Sequence, residues 1–101
     1  MNLLIFVCFF TTDAPTVTLQ GAPTGDIIEN QDKVSLRCIV DANPTANVFW
    51  RQVGKTDVFS FSEKVIFNPV TRRNSATYTC EARNSAGASD PISVKIDVKC
   101  K

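Results

Sequence analysis

Short runs of alternating apolar and polar residues fill most of this chain, and clusters of glycine, proline, asparagine and aspartate separate them. Alternation with a period of two is typical of antiparallel strands that bury one face. The run at 33–40 buries Val34, Leu36, Cys38 and Val40 on one side. The run at 92–98 shows the cleanest alternation, with Ile92, Val94, Ile96 and Val98 opposite polar residues.

The same pattern predicts about seven short strands. They fall at 16–19 with 27–28, 33–40, 47–52, 58–61, 64–67, 76–83 and 92–98, with turns at 41–46, 54–57 and 84–87. A single sheet of this size would leave its apolar face in water. The sequence therefore predicts an all-β sandwich of two antiparallel sheets, as one domain of 101 residues.

The chain has four cysteines, Cys8, Cys38, Cys80 and Cys100, with no C-x-x-C pair for zinc or redox chemistry. Cys38 and Cys80 have the same inward phase. If they lie opposite each other, a disulfide between them closes a large loop and stabilises the folded state by roughly 4 kcal/mol. Two unpaired buried thiols are the alternative. Because disulfides persist in oxidising compartments, the cysteines indicate the secretory route.

The absence of histidine limits the chemistry that this chain can perform. Histidine is the commonest general base and metal ligand, so most hydrolase mechanisms lose their central group. No acid–base pair, metal cluster or phosphate loop is evident, and we expect no catalytic residue, metal or cofactor. A net charge of +1 also argues against nucleic acid as a partner. The sequence gives no indication of a small-molecule substrate.

The two ends of the chain carry separate expectations. Residues 1–12 contain the apolar run LLIFVCFF, which suits a signal-peptide core and is too short to span a membrane. An extra apolar strand or a misjudged gene start are the alternatives. At the other end, the stop straight after a strand is typical of a fragment, although a small secreted domain would look the same. Cys100 could pair with Cys8, link to another chain, or be a framing accident.

Cys38, Trp50 twelve positions later and the Tyr78-Thr79-Cys80 segment resemble the frame of an immunoglobulin domain over residues 15–99. The resemblance implies a Greek-key sandwich with an inter-sheet disulfide between Cys38 and Cys80. It also implies that Trp50 packs on this disulfide and that the Tyr78 hydroxyl bonds to upstream backbone. The expected core includes Leu36, Trp50, Tyr78, Val94 and Ile96.

The short stretch between Trp50 and Val65 leaves no room for the extra strands of a variable domain. The segments DANP at 41–44 and ARNSAG at 82–87 resemble the compact I-set or C2-type domains of cell-surface proteins. More narrowly, FWRQVGKTDVFSF and DPISVKIDVK resemble domains of insect and nephrin-like adhesion molecules such as Echinoid. One departure is that Asn74 and Ala76 replace the family's Asp and Gly, which removes an ion pair.

This resemblance implies an extracellular module that binds another immunoglobulin-like cell-surface protein, homophilically or heterophilically. Outward residues of the sheet that carries Trp50 form the expected surface. We define the candidate face as Phe49, Arg51, Glu81 and Arg83, because an outward aromatic beside arginines is a typical binding hot spot. Phe59 and Phe61 are rival anchors. A secreted single-domain binder and an intracellular structural domain, like those of giant muscle proteins, are alternative functions.

Overall fold

A computed structural model describes residues 13–100 of the chain, so the expected leader at 1–12 lies outside the described residues. The strands are Asp13–Gln20 (β1), Ile27–Ile28 (β2), Val34–Asn43 (β3), Asn47–Gln52 (β4), Val58–Ser60 (β5), Lys64–Phe67 (β6), Ala76–Asn84 (β7), Gly87–Ala88 (β8), Ile92–Ile96 (β9) and Val98–Lys99 (β10). One turn of 3-10 helix, Arg72–Asn74, precedes β7, and no α-helix occurs within residues 13–100.

Two antiparallel sheets pack face to face. The first has the order β1-β3-β6, and the second has the order β5-β4-β7, with β8 and β9 both pairing with β7. The two remaining strands, β2 and β10, pair with each other in parallel and form a separate two-stranded sheet. This arrangement confirms the predicted all-β sandwich.

The core lies between the sheets and is centred on a disulfide. Cys38 and Cys80 are fully buried, with Cα atoms 6.4 Å apart, and their sulfur atoms are bonded. Trp50 faces Cys80 across the β4–β7 register and belongs to the same buried cluster. Leu36 and Tyr78 are buried in that cluster too, as are Val94 and Ile96. The predicted disulfide is thus confirmed.

Several strand boundaries differ from the sequence prediction. The predicted first strand at 16–19 with 27–28 is two strands in different sheets, because β1 pairs with β3 and β2 with β10. The turn expected to begin at Asp41 begins three residues later, because β1 pairs with β3 as far as Asn43. The run at 92–98 is divided at Asp97, since β9 pairs with β7 while β10 leaves that sheet to pair with β2. Alternation continues through such a break, so the side-chain pattern alone does not reveal it.

Hydrogen bonds fix the corner that leads into β7. The Tyr78 hydroxyl donates to the Asn74 carbonyl at 2.8 Å, as the resemblance implies. The Asn74 side-chain oxygen accepts from the Thr71 backbone N–H at 2.7 Å. Where the family's aspartate would form an ion pair, this asparagine therefore makes a local hydrogen bond. At the same corner, Arg72 makes a two-pronged ion pair with Glu29, at 2.9 and 3.0 Å.

Gly21 allows β1 to end closely against β3. Its φ is +88°, a region that side chains rarely adopt, and a Cβ added here would overlap the Ser35 carbonyl oxygen. A Cβ added to Gly25 in the same loop would have no atom within 4 Å. The two glycines therefore differ in how strictly the backbone requires them.

Candidate recognition face

The candidate face occupies the outer side of the sheet that carries Trp50. Phe49 of β4 lies directly opposite Glu81 of β7, one pair along from Trp50 and Cys80. Arg51 lies opposite Thr79, and Arg83 lies opposite Asn47, so the two arginines lie on either side of the Phe49–Glu81 pair. The register therefore brings the four predicted residues together on one surface.

Phe49 is not the exposed aromatic that the sequence predicts. Its side chain is only 9% exposed although it lies outside the main core cluster. The guanidinium carbon of Arg51 lies 5.0 Å from the ring centroid, and that of Arg83 lies 6.0 Å from it. The arginines cover the ring because a guanidinium stacks favourably on an aromatic face, a contact worth about 0.5–1 kcal/mol at an exposed site.

Arg51 and Arg83 make no ion pair within the described residues. Ion pairs in 13–100 join Arg37 to Glu63, Arg72 to Glu29 and Lys99 to Asp97, and none includes Arg51 or Arg83. The Arg51 Nε is shielded from water and has no hydrogen-bond acceptor there. Glu81 lies on the same face without an ion pair within 4.0 Å. The face therefore presents two arginines without an ion pair over an aromatic ring.

A groove of about 630 Å³ adjoins this face. Phe49 and Arg83 line it, together with Phe61, which is 76% exposed. The start of β4, the end of β7 and the turns beside them supply its remaining wall, through Pro44, Thr45, Asn47, Val48, Asn84 and Ser85. The groove thus continues the candidate face towards one end of the sandwich.

The wall of the groove is held by a bond between two loops. The Asn84 side-chain amide donates to the Pro44 carbonyl at 3.0 Å, and the Asn84 side-chain oxygen accepts from the backbone N–H groups of Ala86 and Gly87. One asparagine therefore fixes its own turn and ties that turn to the neighbouring loop. Such a groove is present before any partner binds.

The sequence could not separate the roles of Phe59 and Phe61. Phe59 packs its ring against Tyr78 and Phe67, with centroids 5.3 and 6.1 Å away, so it covers the edge of the core. Phe61, two residues later, instead lies on the groove. The alternation of this short run predicts that both rings point to the same side of the strand. Their different positions arise because the chain bends after β5.

Residues 13–100 contain no cluster of three side chains that could hold a metal ion. Within the same residues, no helix has the length and apolar character needed to cross a membrane. The candidate face and the groove carry cationic, aromatic and amide side chains.

Comparison with known structures gives the same architecture. A chimeric titin Z1Z2 structure superposes with a TM-score of 0.71 at 25% identity, covering 90% of this chain and 99% of that one. The tandem Ig repeats of Dlar superpose with a TM-score of 0.67 at 26% identity, covering 89% of this chain and 51% of that one.

A structure of the N-terminal four Ig domains of Dscam1 shares the fold, with a TM-score of 0.70 at 18% identity, covering 88% of this chain. The chain spans about half of the Dlar structure and 22% of the Dscam1 structure. The family profile described as "Immunoglobulin domain" matches residues 14–84, well over half of the sequence. Together with the disulfide-centred sandwich, this match shows that the chain belongs to the immunoglobulin domain family.

Proposed function

We propose that this chain is an extracellular recognition domain, one module of a multi-domain cell-surface receptor that binds another immunoglobulin-like protein in cell–cell adhesion. The observation that carries the proposal is the buried disulfide between Cys38 and Cys80, which joins the two sheets. Such a bond forms and persists in oxidising compartments, on the route to the cell surface. The proposal assigns the chain no reaction and no cofactor.

The comparisons support a modular role. The Dlar and Dscam1 structures each contain several immunoglobulin domains, and this chain corresponds to a part of each. The subtype that we propose is the compact I-set or C2-type, with the nephrin-like and Echinoid-like adhesion molecules as the nearest group. Its support is that only the three-residue strand β5 extends the sheet beyond β4, whereas a variable domain adds two strands there.

The binding surface that we propose is the candidate face together with the groove. Binding hot spots are enriched in aromatic and arginine side chains, and both occur here beside an existing concavity. The arginines offer directional donors, and Phe61 offers apolar area that is open to solvent. A partner that covered this surface would bury all of these groups at once.

Two other functions remain to be separated by experiment. A small secreted binding protein would use the same surface without a receptor around it. An intracellular structural domain is favoured by the 25% identity to the titin Z1Z2 structure. That function would place Cys38 and Cys80 in a reducing compartment, where disulfides are rare.

The adhesion proposal is tested by presenting multimers of the full chain to intact cells of the source tissue and to beads coated with the same chain. We expect binding to one of these surfaces that protease treatment of the surface removes. Charge reversal at Arg51 and Arg83 to Glu should weaken it by about tenfold or more. The matched control reverses Lys64 and Arg73, which are exposed elsewhere. Absence of binding, or equal loss in both variants, contradicts the proposal.

A further inference from the structure

We propose that the group recognised by this surface is a carboxylate on a partner protein, held by Arg51 and Arg83 and followed by an apolar side chain that packs on Phe61. This inference rests on the proposed recognition function and specifies the chemistry of the partner. It starts from the two guanidinium groups that share one aromatic ring. Their central carbons are at most 11 Å apart, because they lie 5.0 and 6.0 Å from the same ring centroid.

Stacking on Phe49 holds both guanidinium groups before any partner arrives. A planar guanidinium binds a carboxylate through paired N–H donors, and less conformational freedom is lost when the group is already positioned. Arg72, in contrast, uses these donors within the domain, on both oxygens of Glu29. Arg51 and Arg83 make no ion pair among residues 13–100, so no acidic group of the domain occupies their donors, although the Arg51 Nε itself is shielded from water.

The charge balance of the surface also favours an acidic group. The outer side of β4, β7 and β9 carries Arg51, Arg83 and Lys95 against the single carboxylate of Glu81. Local charge is thus positive on a chain whose overall net charge is only +1. Three cations against one anion leave an excess of two positive charges, and a second carboxylate would lower this excess to one. The shielded Arg51 Nε indicates that part of the site is already removed from water.

The groove indicates what accompanies the acidic group. Phe61 is 76% exposed and lies in the same groove as Arg83, so a side chain beside the carboxylate would contact an aromatic ring. An acidic residue followed by an apolar one fits these two features. A long polyanion fits them less well, because such ligands are typically bound by extended rows of basic residues.

Nuclear magnetic resonance of the full chain tests this inference with two capped dipeptides, glutamate–leucine and the matched glutamine–leucine. We expect the glutamate peptide to shift the Arg83 Nε–H and Phe61 ring signals. Its affinity should exceed that of the glutamine peptide by about tenfold, as charge-assisted bonds to arginine require. Equal affinity for both peptides overturns the proposal.

Three variants complete the experiment. Arg51→Gln and Arg83→Gln should each weaken binding of the glutamate peptide several-fold, whereas Arg73→Gln removes the same charge elsewhere and should leave it unchanged. Phe61→Ser should weaken binding without touching a charge, and it keeps the inference testable if an arginine variant fails to fold. Equal effects of Arg73→Gln and Arg83→Gln would mean general charge attraction and overturn the proposal.

A heparin disaccharide supplies the competing class of anion. Tighter binding of this sulfated sugar at the same two arginines would assign the site to a polysaccharide and contradict a protein carboxylate. The outcome is separate from that of the cell-binding experiment. Cell binding without carboxylate preference refutes this inference alone, whereas peptide binding without cell binding refutes the adhesion function alone.

Discussion

Replacement of Tyr78 by Phe isolates the hydrogen bonds that fix the corner before β7. The ring is 1% exposed and contacts Phe59 and Phe67 at centroid distances of 5.3 and 5.5 Å, contacts that phenylalanine retains. The hydroxyl donates to Asn74 at 2.8 Å and accepts from the Gln52 amide at 3.2 Å. Together these two hydrogen bonds make a net contribution of about 1.5 kcal/mol to the free energy of unfolding.

Urea unfolding at pH 7 measures this loss through the fluorescence of Trp50, the only tryptophan in the chain. A loss of about 1.5 kcal/mol lowers the melting temperature by about 6–12 °C in a domain of this size. The urea dependence of the unfolding free energy should stay constant, because the exposed area hardly changes.

The control variant for Tyr78→Phe is Thr79→Val, which removes a hydroxyl from the adjacent residue of the same strand. Surface substitutions of this kind change stability by less than about 0.5 kcal/mol. If Tyr78→Phe costs no more than this control, the corner bonds add nothing to stability and the reasoning fails. A loss above about 3 kcal/mol would equally refute it, because losses of that size come from disrupted packing.

Three further outcomes follow from the structure. Burial raises the pKa of the Tyr78 hydroxyl above 10.0, and the hydrogen bond from Gln52 opposes this shift only in part. Because the unfolded chain therefore loses this proton at a lower pH than the folded chain, the stability of the wild type should fall relative to Tyr78→Phe as pH rises above about 10. Urea unfolding at alkaline pH measures this difference. Gly21→Ala should cost about 1–3 kcal/mol in the same unfolding assay, because of its positive φ and the overlap with the neighbouring strand, whereas Gly25→Ala should be nearly neutral; equal effects would contradict this. Joint replacement of Cys38 and Cys80 by Ala should cost about 4 kcal/mol in calorimetry, and a loss under about 1 kcal/mol would be inconsistent with the loop that the bond closes.

Much of the fold could be predicted because its determinants are local and periodic. Alternation marks Cys38 and Cys80 as inward residues, and Leu36, Val94 and Ile96 as core residues. The pairing of the two cysteines is what the resemblance to an immunoglobulin domain implies. The division of the last run at Asp97 was missed, because its side chains keep alternating while the backbone changes partner. The ion pair between Arg72 and Glu29 was missed for a related reason, since it joins residues 43 positions apart.

The candidate face was predicted only in part. The sequence placed Phe49 outward, correctly outside the main cluster, but could not show that two arginines cover it. That burial depends on diagonal neighbours across β4 and β7, which require the strand register. The groove depends on the bond between Asn84 and Pro44, which joins two loops distant in sequence. For the groove, the sequence contained a single indication, which was the aromatic Phe61 beside a turn.

Counting free thiols in the native protein tests the central claim, an extracellular domain with an oxidised core, most directly. The chain is taken from its source tissue, denatured without reductant and labelled with a maleimide that adds a fixed mass to each thiol. We expect at most two labels, because Cys38 and Cys80 are joined and only Cys8 and Cys100 can react. Labelling of both Cys38 and Cys80 in the native protein would place the domain in a reducing compartment and contradict the account.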